Sequence, residues 1–108
     1  MDQRIRLVIS AIETDLRAHL DADKLARSVN LSSSRLRHLF RSEKGMTLAR
    51  YQRVCRMEEA RTLLASTFSS IKEVMTQVGV HSDSHFAHDF KTAFGLTPTD
   101  YRTNRNHL

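Results

Sequence analysis

Between Ser33 and Lys44 the chain carries a group of hydrogen-bonding and basic side chains whose spacing would place them on one face of a helix. The group consists of Ser33, Ser34, Arg37, His38, Arg41 and Lys44. An arginine has two parallel donors that match O6 and N7 of guanine, and serine and histidine can exchange hydrogen bonds with base edges. Arg41 and Lys44 suit phosphate groups. These residue types in this spacing indicate a surface that recognises a nucleic acid.

A second group of the same kind follows about 50 residues later. It consists of Asp83, Ser84, His85, Ala87, His88 and Lys91. The phenylalanines between them, Phe86, Phe90 and Phe94, have helical spacing and are interpreted as core. Because Ala87 occupies the position of Arg37 and Asp83 would repel a phosphate, the first group is expected to dominate binding.

The positive charge is concentrated around the first group. Lys and Arg outnumber Asp and Glu by 17 to 12 in the whole chain, which gives +5. From Ser33 to Arg61 there are eight basic and three acidic residues, so nine of each sign remain elsewhere. One basic stripe on a neutral body is typical of proteins that bind polyanions.

The residues give little support to catalysis or to metal binding. There is no glycine-rich phosphate loop and no recognisable catalytic constellation, so neither an enzyme nor a cofactor is expected. His81, His85 and His88 have spacings of four and three, but His81 precedes the helix and no further ligand completes a site, so no metal is expected. The single cysteine, Cys55, cannot form an internal disulfide and suits a reducing cytosol.

The elements that must position the two polar groups belong to an internal repeat. A shift of 50 pairs nine residues of the first copy with identical or chemically similar residues of the second. The residues of the first copy are Ser32, Ser34, Leu36, His38, Phe40, Arg41, Gly45, Thr47 and Tyr51. Their partners, in the same order, are Ser82, Ser84, Phe86, His88, Phe90, Lys91, Gly95, Thr97 and Tyr101. Upstream, Leu25, Ala26 and Val29 correspond to Val74, Met75 and Val78 with a shift of 49. Each copy reads as a short helix, a turn and a second helix, which is a helix-turn-helix.

Capping residues mark the ends of these helices. Ser32 and Ser82 are typical N-caps, and Gly45 and Gly95 follow as C-caps. Further start signals are the Asp21 cap, the Ser70 and Glu73 capping box, and Pro98 in a first helical turn. With only three glycines and one proline, the pattern predicts an all-α fold of about seven helices.

A long uninterrupted helix should join the two helix-turn-helix subdomains. We predict an N-terminal helix with the first helix-turn-helix at residues 1–46, the connecting helix at 47–65, and the second helix-turn-helix with a C-terminal helix at 66–108. A helix of about 18 residues spans ~27 Å, close to the ~34 Å between successive major grooves on one side of DNA. No apolar run is long enough for a membrane span and no secretory signal is recognised, so a cytoplasmic location is expected.

With these features the chain resembles the DNA-binding domain of the AraC/XylS transcription regulators. The residues that carry the resemblance are Leu25, Ala26, Val29, Ser32, Leu36, Phe40, Arg41, Gly45, Tyr51, Arg56, Ala60, Leu63, Leu64, Ile71, Val74, Val78, Gly79, Ser82, His85, Phe86, Phe90, Lys91, Phe94, Gly95, Thr97, Pro98, Tyr101 and Arg102. The resemblance implies seven helices, two helix-turn-helix units in adjacent major grooves of a promoter, and contact with RNA polymerase. It implies that Ser34, Arg37 and His38 of the first unit contact bases. In the second unit the implied base contacts come from Asp83, Ser84, His85, Ala87 and His88. His38 and His88 depart from the family, which usually has arginine there.

The sequence therefore predicts a bacterial, sequence-specific regulator that binds double-stranded DNA as a monomer. The resemblance implies an activator, although the residues themselves leave activator and repressor open. A protein-interaction module with a basic face, and a metal-responsive regulator using His81, His85 and His88, are the alternatives. The length leaves no room for an effector domain, so the chain is either a stand-alone member of the family or the C-terminal part of a longer one.

Overall fold

A computed structural model describes residues 1–105, with side chains as far as residue 104. Over that range the secondary structure is entirely α-helical, which confirms the all-α prediction. The helices are α1 (Gln3–Thr14), α2 (Ala22–Ser28), α3 (Ser33–Lys44), α4 (Leu48–Ser66), α5 (Ile71–Val78), α6 (Asp83–Phe94) and α7 (Pro98–Arg105). None of these helices has the length and apolar character needed to cross a membrane. The chain divides into two compact units, Met1–Gln52 and Arg53–Leu108.

Side chains at the helix starts explain where the helices begin. Ser32 Oγ accepts the Arg35 amide at 3.1 Å, and Ser82 Oγ accepts the His85 amide at 3.3 Å. At the start of α5 the capping box is complete, since Ser70 Oγ accepts from the Glu73 amide at 3.0 Å and Glu73 Oε1 accepts from the Ser70 amide at 2.9 Å. Each bond satisfies an amide that has no partner within its own helix. The predicted caps are therefore confirmed.

Left-handed residues form the turns of both helix-turn-helix units. Gly79 follows α5 with φ 83°, and Asn30 follows α2 with φ 60°. These two positions correspond under the shift of 49, and Asn is one of the few residues with a side chain that adopts this conformation readily. Gly45 and Gly95 end α3 and α6 in the same region, at φ 72° and 82°. The two units thus share one turn geometry.

Each unit has its own apolar core, and the repeat proves to be longer than the predicted helix pair. In the first unit α1 contributes Ile5, Val8 and Ile12 to the core. In the second unit α4 contributes Met57, Ala60 and Leu64, with the same spacings of three and four. The shift between these two sets is 52, so α1 and the greater part of α4 are equivalent helices. The structural repeat therefore has at least three helices.

The first turn of α4 belongs to the first unit. Leu48 is 3% exposed in the first core, and Tyr51 packs against that core with its ring 5.6 Å from the ring of Phe40. Tyr51 also donates its hydroxyl to Glu13 Oε1 at 2.6 Å. The buried Gln52 donates from Nε2 to the carbonyl of Ala18 at 3.0 Å. These contacts fix the start of α4 against the α1–α2 segment, immediately beyond the end of α3.

Candidate nucleic-acid interface

The outer face of α3 carries the first predicted group of site residues. Leu36 and Phe40 are fully buried, so the opposite side of the helix must face outwards. The exposed members of the predicted group are Ser34, Arg37, His38 and Arg41, whereas Ser33 and Lys44 are half-buried. The outward-facing side of α3 that helical periodicity predicts is therefore the exposed side in the structure. The two half-buried residues, Ser33 and Lys44, lie at the two ends of this face.

Three of these side chains meet at a cleft of about 420 Å³. Arg37, His38 and Arg41 line it together with residues from the start of α2 and α4, among them Ala22 and Leu48. Within the described residues, none of the three forms an ion pair or a hydrogen bond through its side chain. Their donors are therefore available to an anion or a base edge. Ser33, Ser34 and Lys44 do not line this cleft.

Lys44 has a different environment from the other cations of the group. Its ammonium lies 5.1 Å from the centre of the Tyr51 ring, which is within the range of a cation–π interaction. The Tyr51 hydroxyl is held by Glu13 at the same time, so Lys44 is positioned at the junction of α3 and α4. This arrangement places a cation beyond the C-terminal end of the polar face, where it suits a phosphate contact.

The outer face of α6 carries the second predicted group. Phe86 and Phe90 are buried as predicted, and Phe94 is half-buried against Phe90 with ring centres 4.8 Å apart. The Arg61 guanidinium lies over the Phe94 ring, 4.3 Å from its centre. The exposed members of the predicted group are Asp83, Ser84, His85, His88 and Lys91, and Ala87 is half-buried. The face is thus polar like that of α3 but has only one permanent cation, Lys91.

The three histidines of the second unit separate in the structure. His81 and His85 line a cleft of about 360 Å³, which does not include His88. In the described part of the chain no three His, Cys, Asp or Glu side chains are grouped so that they could hold a metal ion. The spacings of four and three would place the three histidines near one face of a helix. His81, however, lies in the turn before α6, as the sequence indicated.

Two arginines of α4, Arg53 and Arg56, also line this second cleft, and sequence reasoning missed them as site residues. Both lie within the basic stripe from Ser33 to Arg61, which was the available signal. Burial lowers the pKa of Arg56, because removing a guanidinium from water disfavours its charged form. The structure thus assembles a basic cleft from α4 and from the α5–α6 turn, within the second unit.

Comparisons with known proteins agree with this architecture. Residues 25–104 match the family profile described as "Helix-turn-helix domain". The arabinose operon regulatory protein of Salmonella typhimurium is 34% identical over 103 residues, covering 94% of this chain and 37% of its own length. The HTH-type transcriptional activator RhaR of Yersinia pseudotuberculosis is 29% identical over 100 residues, covering 93% of this chain and 34% of its own length. The chain thus spans little more than a third of these curated relatives.

A solved structure shows the same fold. A transcriptional regulator from Chromobacterium violaceum, described as one of the AraC-type DNA-binding domain-containing proteins, superposes with a TM-score of 0.86 at 28% identity. The match covers 94% of this chain and 91% of that one. The chain therefore shares the fold of an AraC-type domain over almost its whole length.

Proposed function

We propose that this chain, which belongs to the AraC/XylS family of helix-turn-helix transcription regulators, binds double-stranded promoter DNA and recognises its sequence through the outer faces of α3 and α6. One observation carries the proposal: two equivalent helices bury the same apolar positions and expose hydrogen-bonding side chains on the opposite face. An α-helix fits the major groove, where each base pair presents its own pattern of donors and acceptors. Each helix would read one of two adjacent major-groove segments.

The first unit supplies the stronger donors in this proposal. Arg37 would form two hydrogen bonds to a guanine, and Ser34 and His38 would contact neighbouring base edges. Arg41 and Lys44 would bind backbone phosphates, with Ser33 at the start of the face. Arg37 and Arg41 line one cleft, and among the side chains of residues 1–104 neither has an ion-pair partner, so their donors remain available to a group that enters the cleft.

In the second unit most of the proposed contacts come from side chains without a permanent charge. Ser84, His85 and His88 would exchange hydrogen bonds with bases, and the methyl group of Ala87 suits contact with a thymine methyl. Asp83 would accept from a cytosine amino group, because a carboxylate near a phosphate is repelled. Lys91 would bind a phosphate.

We infer further that the chain binds as a monomer, activates transcription by contacting RNA polymerase, and acts in the cytoplasm. Two non-identical readers on one chain remove the need for the two-fold symmetry of dimeric helix-turn-helix proteins. The similarity to a protein named as a transcriptional activator supports the direction of regulation.

Selection from a random duplex library tests the central proposal. We expect enrichment of a sequence with two separate conserved blocks, of which Arg37→Ala alters one. A protein-interaction module with a basic face would enrich no sequence. A metal-responsive regulator would lose its enrichment after treatment with a chelator, and zinc would remain bound to the dialysed protein.

The salt dependence of binding provides a second test. If six to eight phosphates are neutralised, the logarithm of the association constant should fall against the logarithm of salt concentration with a slope of about −5 to −7. Fluorescence anisotropy of the selected duplex at several salt concentrations measures this slope. A nearly flat dependence would contradict a DNA-binding function.

A further inference from the structure

Arg53, Arg56 and His81 line the cleft at the α5–α6 turn and have no role in the contacts proposed above, whereas His85 lies between this cleft and the outer face of α6. The cleft has a volume of about 360 Å³. Arg53 and Arg56 reach it from α4, His81 lies in the turn, and His85 lies in the first turn of α6. Asp89, one turn further along α6, is the acidic residue on its wall. Four nitrogen-bearing side chains from three segments of the second unit therefore surround one small space.

The charge of this cleft is positive. Two guanidiniums and one carboxylate line it, and the two imidazoles add hydrogen-bond donors. Arg53, His81 and His85 are exposed, so their polar atoms can reach an entering group. Arg56 is half-buried, and burial lowers its pKa.

We propose that this cleft is a phosphate-binding site in which Arg53 and Arg56 contact the oxyanion and His81 and His85 donate to its remaining oxygens. A guanidinium presents paired donors that match two oxygens of a phosphate. The space is large enough for a tetrahedral oxyanion with part of its substituent, since one water occupies only about 30 Å³ of liquid. Asp89 offsets one guanidinium and leaves the site with an excess of positive charge.

A phosphate group could come from the DNA backbone or from free phosphate in solution. The first source rests on the proposed DNA-binding function. It would give the second unit additional phosphate contacts, because α6 offers one cation, Lys91, and its Asp83 would repel a phosphate. The second source is independent of DNA. The two sources share their chemistry and are distinguished by the two experiments below.

The first experiment uses no DNA. Inorganic phosphate is titrated into the full chain at constant ionic strength, with chloride as the reference anion, while ¹H–¹⁵N spectra are recorded. We expect saturable shifts at His81 and His85 that Arg53→Gln abolishes. Lys72→Gln removes a charge from an exposed position of α5 that does not line the cleft, so its titration should match that of the native chain.

The second experiment measures binding to the selected duplex. Arg53→Gln should weaken affinity roughly tenfold on every sequence tested and should make the salt slope less steep by about 1, as expected for one lost phosphate contact. Lys72→Gln should change neither quantity. Thermal unfolding verifies that both variants fold, as expected for substitutions at the exposed positions Arg53 and Lys72.

The outcomes separate the two sources. Saturable phosphate shifts with an unchanged DNA slope identify a site for free phosphate, and a changed slope without saturable shifts identifies the DNA backbone. If the native chain binds no DNA, the proposed function fails while the phosphate titration still decides the site. If phosphate shifts are not saturable and Arg53→Gln behaves like Lys72→Gln on DNA, the proposal is wrong.

Discussion

Arg37 and Ala87 occupy equivalent positions on α3 and α6, but they offer a base pair very different chemistry. Arg37 is exposed and shares its cleft with His38 and Arg41. Ala87 is half-buried and has no polar atom in its side chain. Because a bidentate contact discriminates strongly between bases, the position occupied by Arg37 should control more of the specificity than its counterpart.

Replacing Arg37 with Ala should therefore reduce DNA affinity by about 1–3 kcal/mol and relax the preference at one base pair. His88→Ala should cost less at pH 7.5, because His88 lacks the permanent charge and the paired donors of the Arg37 guanidinium. Anisotropy titrations on the selected duplex and on single-base variants measure both effects. Arg17→Ala, which removes an exposed arginine outside the proposed site, is the matched control. A larger loss for His88→Ala than for Arg37→Ala would contradict the asymmetry of the two units.

At the scale of elements, the capping box of α5 links the stability of the second unit to pH. The Ser70 backbone amide, and after it the Ser70 hydroxyl, holds the pKa of Glu73 below its ordinary value of 4.5. A carboxylate with a lowered pKa stabilises the folded state above its unfolded pKa, and this contribution is lost as the pH falls through the folded value.

Glu73→Gln should therefore lower the unfolding free energy at pH 7, and the difference from the native chain should shrink as the pH falls below about 4.5. Glutamine keeps a hydrogen-bond acceptor at this position, so the variant isolates the effect of charge. Urea denaturation followed by circular dichroism between pH 7 and pH 3 measures the difference. Glu59→Gln removes an exposed glutamate from α4 and serves as the control. A difference that stays constant with pH would contradict the role assigned to the carboxylate.

Helix positions could be predicted well because their signals are local. Ser32, Ser82 and the Ser70–Glu73 pair act through bonds that span only three residues. The equivalence of α1 and α4 could not be found at one fixed shift. Seven residues separate α1 from α2 but only four separate α4 from α5, so the shift changes by three between these elements.

The candidate site likewise has one part that could be predicted from the sequence and one part that could not. The outward face of α3 follows from helical periodicity once Leu36 and Phe40 are assigned to the core. The cleft with Arg53 and His81 depends on the packing of α4 against the α5–α6 turn, and these residues are 28 positions apart. No periodic pattern connects them, so only the tertiary structure brings them together.

For the whole molecule, the proposed monomeric binding predicts the symmetry of the DNA site. Since α3 and α6 present different side chains at equivalent positions, one chain should recognise two different half-sites. We expect an asymmetric site and a stoichiometry of one chain per duplex in analytical ultracentrifugation with labelled DNA. A palindromic site occupied by two chains would show that the two faces do not read the DNA together.

The two cores use successive parts of one helix, α4, and this determines how the protein can be divided. Leu48 and Tyr51 complete the first core, and Met57, Ala60 and Leu64 begin the second. A protease cut in the middle of α4 would therefore damage two folding units at once. A cut between Gln52 and Met57 would leave each unit all of its core residues, but each fragment would lose the turns of α4 that continue its end of the helix. Autonomous fragments should therefore be more stable if both contain this helix, for example as residues 1–66 and 47–105.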